Sequence, residues 1–465
     1  MNFSAKKKLN WVWLVLFMIC SCSTFDTNSI SKIKTDIPES FSIHSPNEKN
    51  SVFYTNKWWH AFNSQELDYL IHTALSNNQS LTQVWERLDQ SQYIALQKGA
   101  TRLPDATLSS GVIDQEATLL QNARVWSSGI SSIYELDLWG RLKAIRESAK
   151  YDIFAARAAV DTAAMTLSAE VAIRWTRLIA CKLETAILVK QLQANQEALE
   201  LIELRFEKAL ASALDVLQQK QAVEATTSLL PIAKRKERLA NLELATLLGT
   251  SEEITISSCQ LPALYDLPHL GIPSDLLERR PDVKLAANNF KSKSWLIKAA
   301  RADRLPSFRI SASSDTSASA LSTVLDSWST TLAGNISFPL FDGNRRKAEQ
   351  ERIIALSNEM LAAYKETILK AIEEVERFIT LEQTQQEYIL ALNTQLNASR
   401  QSYQEAISRY QNGAIEYTTV LFQLNSYQQL ERNMVDAQTN LIGYRIALYR
   451  ALGGDWMKDL EAGES

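Results

Sequence analysis

The chain has 465 residues, of which only 13 are glycine and 10 are proline, about 5% together where average usage gives roughly 12%. This scarcity argues against a fold of many short strands, and the glycine-rich phosphate-binding fingerprints are absent from the sequence. Four scattered histidines and four cysteines share no metal-ligand spacing, and 49 basic against 53 acidic residues give a net charge of −4. We therefore expect no enzyme activity, no metal or cofactor site and no nucleic-acid partner.

The N-terminal segment is typical of an exported lipoprotein. Lys6, Lys7 and Lys8 precede an apolar run, residues 11–20, that is too short to span a bilayer stably. The run leads into a sequence that resembles a bacterial lipobox, in which Cys22 fits the lipidated position better than Cys20 because bulky Ile19 precedes Cys20. We therefore predict a signal peptide over residues 1–21, lipidation of Cys22 and an extended, lipid-anchored tether over residues 22–57. A plain signal peptide with incidental cysteines is the alternative.

Alternation of apolar and polar residues predicts a β-hairpin in each half of the chain, over about residues 105–139 and 307–341. An apolar outer face with a polar inner face is typical of outer-membrane strands. The side chains expected to face lipid are Trp126, Ile130, Tyr134, Trp328, Leu332 and Ile336. An ordinary half-buried soluble hairpin is the alternative. No internal apolar run approaches the roughly 18 residues that a membrane-spanning helix needs, so any membrane insertion is expected to use strands.

Long helices are predicted after each hairpin. No glycine or proline interrupts the chain between Gly140 and Ala209, which predicts a helix of roughly 100 Å. An apolar stripe with alternating spacings of three and four, diluted by polar residues such as Asn195, runs along it, as in helices packed side by side. A returning helix should complete a hairpin over about residues 141–250, with Pro231 kinking or interrupting it. A matching helical hairpin is predicted over about residues 345–453.

The second half of the sequence repeats the first. Arg102-Leu103-Pro104 recurs 202 residues later as Arg304-Leu305-Pro306, and Leu248-Gly249 recurs 204 residues later as Leu452-Gly453. The offset between the two halves therefore changes only once, from 202 to 204 residues, between these two pairs of motifs. Such an agreement is hard to obtain by chance. We therefore predict two tandem repeats, residues 58–260 and 261–465, each made of a helix, a β-hairpin and a long helical hairpin.

Four strands cannot close a barrel in a membrane, where every backbone N–H and C=O must be paired. Identical copies around an axis would supply eight, twelve or sixteen strands for two, three or four subunits. The helices of those copies would continue the ring of strands. The sequence therefore predicts an α+β membrane protein, with an outer-membrane β-barrel continued by a long periplasmic α-helical barrel.

Three motifs resemble the TolC-like outer-membrane efflux proteins, in particular the lipoprotein branch that serves resistance-nodulation-division drug and metal efflux pumps. They are the Trp58-Trp59 pair, the segment YELDLWGR at residues 134–141 and the segment LERRPDV at residues 277–283. In the last segment, Pro281 suits the first helical position and Asp282 suits the positive end of the helix dipole. The resemblance implies a homotrimer with a twelve-stranded barrel and a twelve-helix tunnel. It also implies docking on a periplasmic adaptor protein and an inner-membrane efflux pump.

The resemblance also assigns roles to residues at the turns of the two helical hairpins. Adaptor docking is expected at Ala209, Leu210, Ser212, Gly413, Ala414 and Ile415. A periplasmic gate is expected at Asp215, Tyr410, Glu416 and Phe422. Relatives often have glycine where this chain has Ala209 and aspartate where it has Phe422, so any negative ring at the tunnel mouth is expected to depend on Asp215 or Glu416. The simpler alternative for Asp215 and Tyr410 is a solvated helix-end position.

The predicted function is a passive export duct for small molecules, either drugs or metal ions, with a partner supplying the energy. Ser23 rather than aspartate after the lipidated cysteine fits delivery to the outer membrane. One alternative is the outer-membrane duct of a type I protein secretion system. The other is a periplasmic coiled-coil lipoprotein without a pore.

Overall fold

The computed structural model describes residues 57–115, 123–264, 267–268, 270–454 and 456–457, together with residues 38, 40 and 41. The predicted signal peptide, Cys22 and all but four residues of the predicted tether lie outside the described residues. One unit of the chain spans Glu39–Ser465, and it contains every helix and strand described below.

Helices occupy most of this unit. In chain order they are α1 (Gln65–Asn77), α2 (Gln79–Ala100), α3 (Arg141–Glu207), α4 (Ala213–Leu247), α5 (Pro281–Ala302), α6 (Arg345–Gln411) and α7 (Tyr417–Leu452). Shorter helical turns lie at Trp58–Phe62, Pro273–Asp275, Leu276–Arg279 and Leu321–Thr323. Because α3 and α6 contain 67 residues each, each is about 100 Å long. None of the described helices is both long enough and apolar enough to cross a membrane.

The predicted interruption at Pro231 does not occur, because α4 continues unbroken through this residue. Val223 before the proline and Ala233 and Leu244 after it are all buried, and α4 packs along α3. An interior proline costs a helix about 3 kcal/mol. Packing on both sides of Pro231 offsets that cost, and no sequence pattern within α4 alone reveals it.

The four strands form one antiparallel sheet in the order β1-β2-β3-β4. They are β1 (Asp105–Gln115), β2 (Ala123–Leu136), β3 (Ser307–Ala318) and β4 (Trp328–Ser337). The hairpins end a few residues before the predicted limits. After β2, the Asp137 carboxylate accepts hydrogen bonds from the N–H groups of Leu142 and Lys143 at 3.0 and 2.7 Å, which caps α3 instead of extending the strand. After β4, Pro339 has no N–H to give to a strand ladder.

The register of the sheet puts the six large side chains predicted to face lipid on one face. Tyr134 pairs with Ile310, and Ile310 pairs with Gly334 on β4. Directly paired residues share a face, and every second residue along a strand returns to it. The face that carries Tyr134 therefore also carries Trp126, Ile130, Trp328, Leu332 and Ile336. Polar side chains dominate the other face: Ser127, Ser131, Ser311, Ser313, Ser329 and Thr331.

The largest hydrophobic core lies where the N-terminal segments meet α3 and α7. The Trp58 ring stacks on the Tyr449 ring with 5.6 Å between centroids, and the Trp59 ring meets the Trp456 ring edge-on at 4.8 Å. Aromatic pairs in these geometries add about 0.5–1.5 kcal/mol beyond the area they bury. This core anchors the shorter elements to the middle of α3 and to the C-terminal parts of α4 and α7.

The motif around Pro281 joins the start of α5 to both helices of the second long hairpin. Pro281 is the first residue of α5 and Asp282 lies in its first turn, as the sequence predicts. The Arg280 side chain, only 6% exposed, forms ion pairs with Asp282 at 2.6 Å and with Glu374 on α6 at 2.8 Å. The same guanidinium donates a hydrogen bond to the carbonyl of Ala451 on α7 at 3.0 Å. A buried arginine with this many partners fixes where the three helices meet.

Candidate functional site: the tips of the two long hairpins

The candidate site is the region where the two long helical hairpins turn. The first tip is residues 208–212, between α3 and α4, and the second tip is residues 412–416, between α6 and α7. The six residues expected to dock a partner all lie in these tips: Ala209, Leu210, Ser212, Gly413, Ala414 and Ile415. Ile415 is half-buried and the other five are exposed. The tips therefore present accessible surface at every one of these positions except Ile415.

Both tips use the same backbone motif. In the first tip the Leu210 N–H donates to the Arg205 carbonyl at 2.8 Å, and in the second the Ala414 N–H donates to the Arg409 carbonyl at 2.9 Å. In each tip the preceding N–H, that of Ala209 or Gly413, donates to the carbonyl three residues earlier, at 2.9 and 3.0 Å. This is the Schellman arrangement, which satisfies the last carbonyls of a helix and requires a left-handed residue after the C-cap.

The first tip holds an alanine in a backbone conformation that favours glycine. The φ angle is 55° at Ala209 and 69° at Gly413. A residue with a Cβ loses roughly 1–2 kcal/mol in this region. A Cβ added at Gly413 would meet no atom within 4 Å, so an alanine there would be opposed by backbone strain and not by a steric clash.

Tyr410 and Asp215, both predicted gate residues, are in contact. Tyr410 lies near the end of α6, and its hydroxyl donates to Oδ2 of Asp215, in the first turn of α4, at 3.3 Å. The Arg205 guanidinium lies 5.2 Å from the centroid of the Tyr410 ring. Burial raises the pKa of the Tyr410 hydroxyl, and the Asp215 charge raises it further, so the hydroxyl remains a donor at neutral pH. The contact joins the first hairpin to the second.

Asp215 also caps its own helix. Its carboxylate accepts a hydrogen bond from the Ser212 N–H at 3.0 Å, and the Ser212 hydroxyl accepts one from the Asp215 N–H at 3.1 Å. This reciprocal pair is a capping box, and losing an N-cap costs about 1 kcal/mol. Asp215→Ala therefore removes one half of this capping box as well as the contact with Tyr410.

The other two predicted gate residues do not join this contact. Glu416 is the N-cap residue of α7 and is exposed, and its carboxylate accepts a hydrogen bond from the Thr418 hydroxyl at 3.4 Å. Phe422 is 71% exposed. Among the described residues, neither side chain is hydrogen-bonded to Asp215 or Tyr410. The structure thus brings two of the four predicted gate residues together and leaves two apart.

A buried contact that the sequence does not reveal lies directly behind Tyr410. The Tyr417 hydroxyl donates to Oε1 of Gln219 at 2.7 Å, and the Gln219 amide donates to the Asn195 carbonyl at 2.6 Å. Tyr417 is 5% exposed and Gln219 is fully buried. The Tyr410 and Tyr417 ring centroids are 5.0 Å apart. The half-buried contact between Tyr410 and Asp215 is therefore backed by a buried one that joins α3, α4 and α7.

Further buried amides continue this contact away from the tips. The Gln428 amide on α7 donates to Oδ1 of Asn195 at 3.1 Å, and the Asn195 amide donates to the Thr226 hydroxyl on α4 at 2.8 Å. The Gln191 amide on α3 donates to the Gln428 carbonyl at 3.1 Å. We call this set the polar seam: Gln191, Asn195, Gln219, Thr226, Tyr417 and Gln428. The available sequence signal is a polar residue, Asn195, recurring within an otherwise apolar helical stripe.

The tips contain no arrangement suited to metal chemistry. Across the described residues, no group of three or more histidine, cysteine, aspartate or glutamate side chains is placed to hold a metal ion. The interactions at the site are hydrogen bonds, ring contacts and apolar packing around Ile202, Ala406 and Val420. Such interactions hold helices in position and can be exchanged for others when a partner binds.

Comparison with known proteins identifies similar chains. A family model described as outer membrane efflux protein matches residues 70–250 and 272–454. The chain is 30% identical over 417 residues to the pyoverdine export outer membrane protein OpmQ of Pseudomonas putida KT2440, covering 87% of this chain and 89% of that protein. It is 26% identical over 440 residues to the cation efflux system protein CusC of Escherichia coli CFT073, covering 91% and 94%. The solved structure of the outer-membrane channel OprN aligns with a TM-score of 0.82 at 27% identity, covering 90% of this chain and 97% of that one.

Proposed function

Because the chain belongs to the outer membrane efflux protein family, we propose that three copies form one duct: a twelve-stranded barrel in the outer membrane and a periplasmic tunnel of helices. The family is one of efflux channels and not of enzymes. The protein is the outer-membrane channel component of a tripartite efflux system. In this proposal the duct is passive and needs no cofactor, and an inner-membrane pump supplies the energy.

The observation that carries the proposal is a sheet with one apolar face and two open edges. β1 and β4 are the outer strands, and within the described residues each has a partner on one side only. Unpaired backbone groups cost several kcal/mol each in hydrocarbon, so these edges need strands from other copies. Pairing β1 of one copy with β4 of the next is a head-to-tail contact that closes into a ring. Three copies then give twelve strands, with the face of Ile130 and Leu332 turned to lipid.

We also propose that the two halves, residues 58–260 and 261–465, are tandem repeats. The family model matches each half once. Two equivalent hydrogen bonds, one in each half, support the repeat. The Asn78 amide before α2 donates to the Leu247 carbonyl at 2.9 Å, and the Arg280 guanidinium before α5 donates to the Ala451 carbonyl at 3.0 Å. The donors are 202 residues apart and the acceptors 204, the two offsets of the sequence repeat.

The tips are proposed to close the periplasmic end of the duct and to dock on a periplasmic adaptor protein. The half-buried hydrogen bond between Tyr410 and Asp215 is worth about 0.5–1.5 kcal/mol. A docked adaptor can overcome that amount by binding the open arrangement more tightly than the closed one. Glu416 and Phe422 would line the same mouth. With Phe422 there, we expect weaker cation selectivity than in relatives with an acidic residue at this position.

The proposed cargo is small molecules or metal ions. Similar proteins are named for pyoverdine export, cation efflux and toluene efflux, which favours a small cargo over protein secretion. No tight cargo site is required of a wide, water-filled duct, so the pump is expected to select the cargo.

Lipidation of Cys22 would anchor the chain in the outer membrane beside the barrel. A fatty acid buried in the bilayer contributes about 0.8 kcal/mol per CH₂ group. Cys22→Ser should abolish incorporation of labelled palmitate, and the matched variant Cys20→Ser should still be labelled. Labelling that persists in Cys22→Ser would show that the anchor lies elsewhere.

Conductance in planar bilayers tests the proposed function. The purified protein should insert and give discrete, ohmic current steps, and Tyr410→Phe combined with Asp215→Ala should raise the conductance. Ser212→Ala is the matched control, because it removes the helix cap and leaves the contact between Tyr410 and Asp215 in place. A protein that never conducts, with or without these substitutions, would contradict the duct and favour a coiled-coil lipoprotein without a pore.

A further inference from the structure

We infer that the closed tips are held chiefly by the buried hydrogen bond between Tyr417 and Gln219, with the polar seam behind it, and only secondarily by the half-buried contact between Tyr410 and Asp215. This inference rests on the proposed function, because it assumes that the tips close a duct. Tyr417 and Gln219 would then hold the tips closed, and opening must begin where these two side chains meet.

The two contacts differ in length and in exposure to water. The Tyr417 hydroxyl lies 2.7 Å from Gln219, whereas the Tyr410 hydroxyl lies 3.3 Å from Asp215. Tyr417 and Gln219 are 5% and 0% exposed, whereas Asp215 and Tyr410 are only half-buried. Asp215 also shares its carboxylate with the Ser212 N–H. By geometry and by environment, the inner contact is the better hydrogen bond.

Burial decides how much each contact resists separation. Tyr410 and Asp215 are half-buried and keep access to water, so when their hydrogen bond breaks, water replaces each lost partner and little free energy is lost. When Tyr417 separates from Gln219, the hydroxyl and the amide oxygen must remain dry and unpaired, or water must enter a space lined by Ile202, Ala406 and Val420. Separation at the inner contact is therefore the costly step in opening.

Gln219 is placed to tie three helices together. It belongs to α4, its amide group donates to the Asn195 carbonyl on α3, and its oxygen accepts from Tyr417 on α7. Gln428 makes a second tie between α7 and Asn195. Tyr417 and Gln428 are 11 residues apart, so the two ties lie about 16 Å apart along α7. While both ties hold, the first hairpin and α7 move together, so opening must start by breaking the tie at Tyr417.

Gln219 and Tyr417 are thus positioning residues for the gate, and they can be tested without collapsing the fold. Gln219→Leu combined with Tyr417→Phe replaces both partners by apolar groups of similar shape, a change that is often nearly neutral for stability. The Asn195 carbonyl keeps its bond within α3. Gln385→Leu is the matched control, since that amide donates to the Ala437 carbonyl at 2.8 Å entirely within the second hairpin.

The measurement is open probability and single-channel conductance of the assembled protein in planar bilayers, with thermal melting as a check on folding. A buried acceptor left unpaired shifts an equilibrium by about thirtyfold, whereas loss of a hydrogen bond that water can replace shifts it by about fivefold. We therefore expect Tyr417→Phe to raise the ratio of open to closed states about thirtyfold per copy, because the Gln219 oxygen is then buried and unpaired while the tips are closed. Adding Gln219→Leu should return the ratio toward that of the unaltered protein, because the closed contact is then apolar on both sides. Tyr410→Phe should raise the ratio only about fivefold, and Gln385→Leu should leave it unchanged.

The outcomes separate this inference from the proposed function. If Tyr410→Phe raises the open fraction as much as Tyr417→Phe does, or more, the inference is wrong and the duct remains. If Gln385→Leu raises the open fraction as much as Tyr417→Phe does, the inference is also wrong, because loss of any buried hydrogen bond would then suffice. If no variant conducts, including Tyr410→Phe with Asp215→Ala, the proposed function fails and the inference fails with it.

Discussion

Replacing Glu382 should destabilise the protein strongly, because the substitution would leave a buried arginine without its counter-charge. The Glu382 side chain on α6 is fully buried and that of Arg445 on α7 is 2% exposed. The Arg445 Nε lies 3.0 and 2.9 Å from the two carboxylate oxygens. Removing one partner of a buried ion pair costs about 3–5 kcal/mol.

This cost converts into a melting temperature. Unfolding gains about 2.1 cal/mol/K of entropy per residue, so a chain of 465 residues gains about 1 kcal/mol/K. Glu382→Ala should therefore lower the melting temperature by about 3–5 °C if the chain unfolds as one unit. Circular dichroism of the detergent-solubilised protein during heating measures it.

The control removes both charges. Glu382→Leu combined with Arg445→Leu leaves no unpaired charge, and such replacements are often neutral or stabilising. The double variant should therefore recover most of the loss. If Glu382→Ala melts at the temperature of the unaltered protein, or if the double variant melts as low as the single one, an unpaired buried charge is not what destabilises the protein.

Three further predictions concern the sheet, the tips and acid stability. Leu332→Arg should lower the amount of assembled protein in outer membranes far more than Thr331→Arg does. Arginine on the lipid face costs about 2–4 kcal/mol near the midplane. Equal amounts of the two variants would contradict the assigned faces of the sheet. Ala209→Gly should slow amide hydrogen exchange in the first tip, and Gly413→Ala should speed it in the second. Each change reflects about 1 kcal/mol of strain from a left-handed residue that carries a Cβ. Faster exchange in Ala209→Gly would contradict the strain at Ala209. Burial raises the pKa of Glu66, but hydrogen bonds from Ser258, Trp175 and Ser257 lower it by more, so it lies below its usual 4.5. Its contribution to stability is therefore complete above pH 4.5 and is lost as the pH falls further. The melting temperatures of the unaltered protein and of Glu66→Gln should converge in acid, whereas parallel curves would contradict this.

Local patterns predict the helices and strands of this chain well. The absence of glycine and proline after Gly140 predicts a long helix, and α3 begins at Arg141. Period-two alternation predicts the strand at Trp328, and β4 begins there. The sequence predicts these helices and strands because residues close together in the chain determine them. The exact ends of the strands are harder to predict, since Asp137, which follows β2, caps a helix instead of extending the strand.

The buried polar contacts could not be predicted, because their partners are far apart in the sequence. Gln219 and Tyr417 are separated by 198 residues, and each alone resembles an ordinary helix-surface residue. Glu382 and Arg445 are 63 residues apart, and charged residues are almost never fully buried unless paired. Only the packing of α7 against its neighbours turns these residues into interior contacts. The contact between Asp215 and Tyr410 was easier to anticipate, because both lie beside predicted turns.

The number of copies in the assembled protein distinguishes a closed barrel from an open sheet. We expect native mass spectrometry of the detergent-solubilised protein to give a single species with the mass of three chains, because three four-stranded sheets close a twelve-stranded barrel. A stable monomer would contradict it, because the edges of β1 and β4 would then remain unpaired in the membrane.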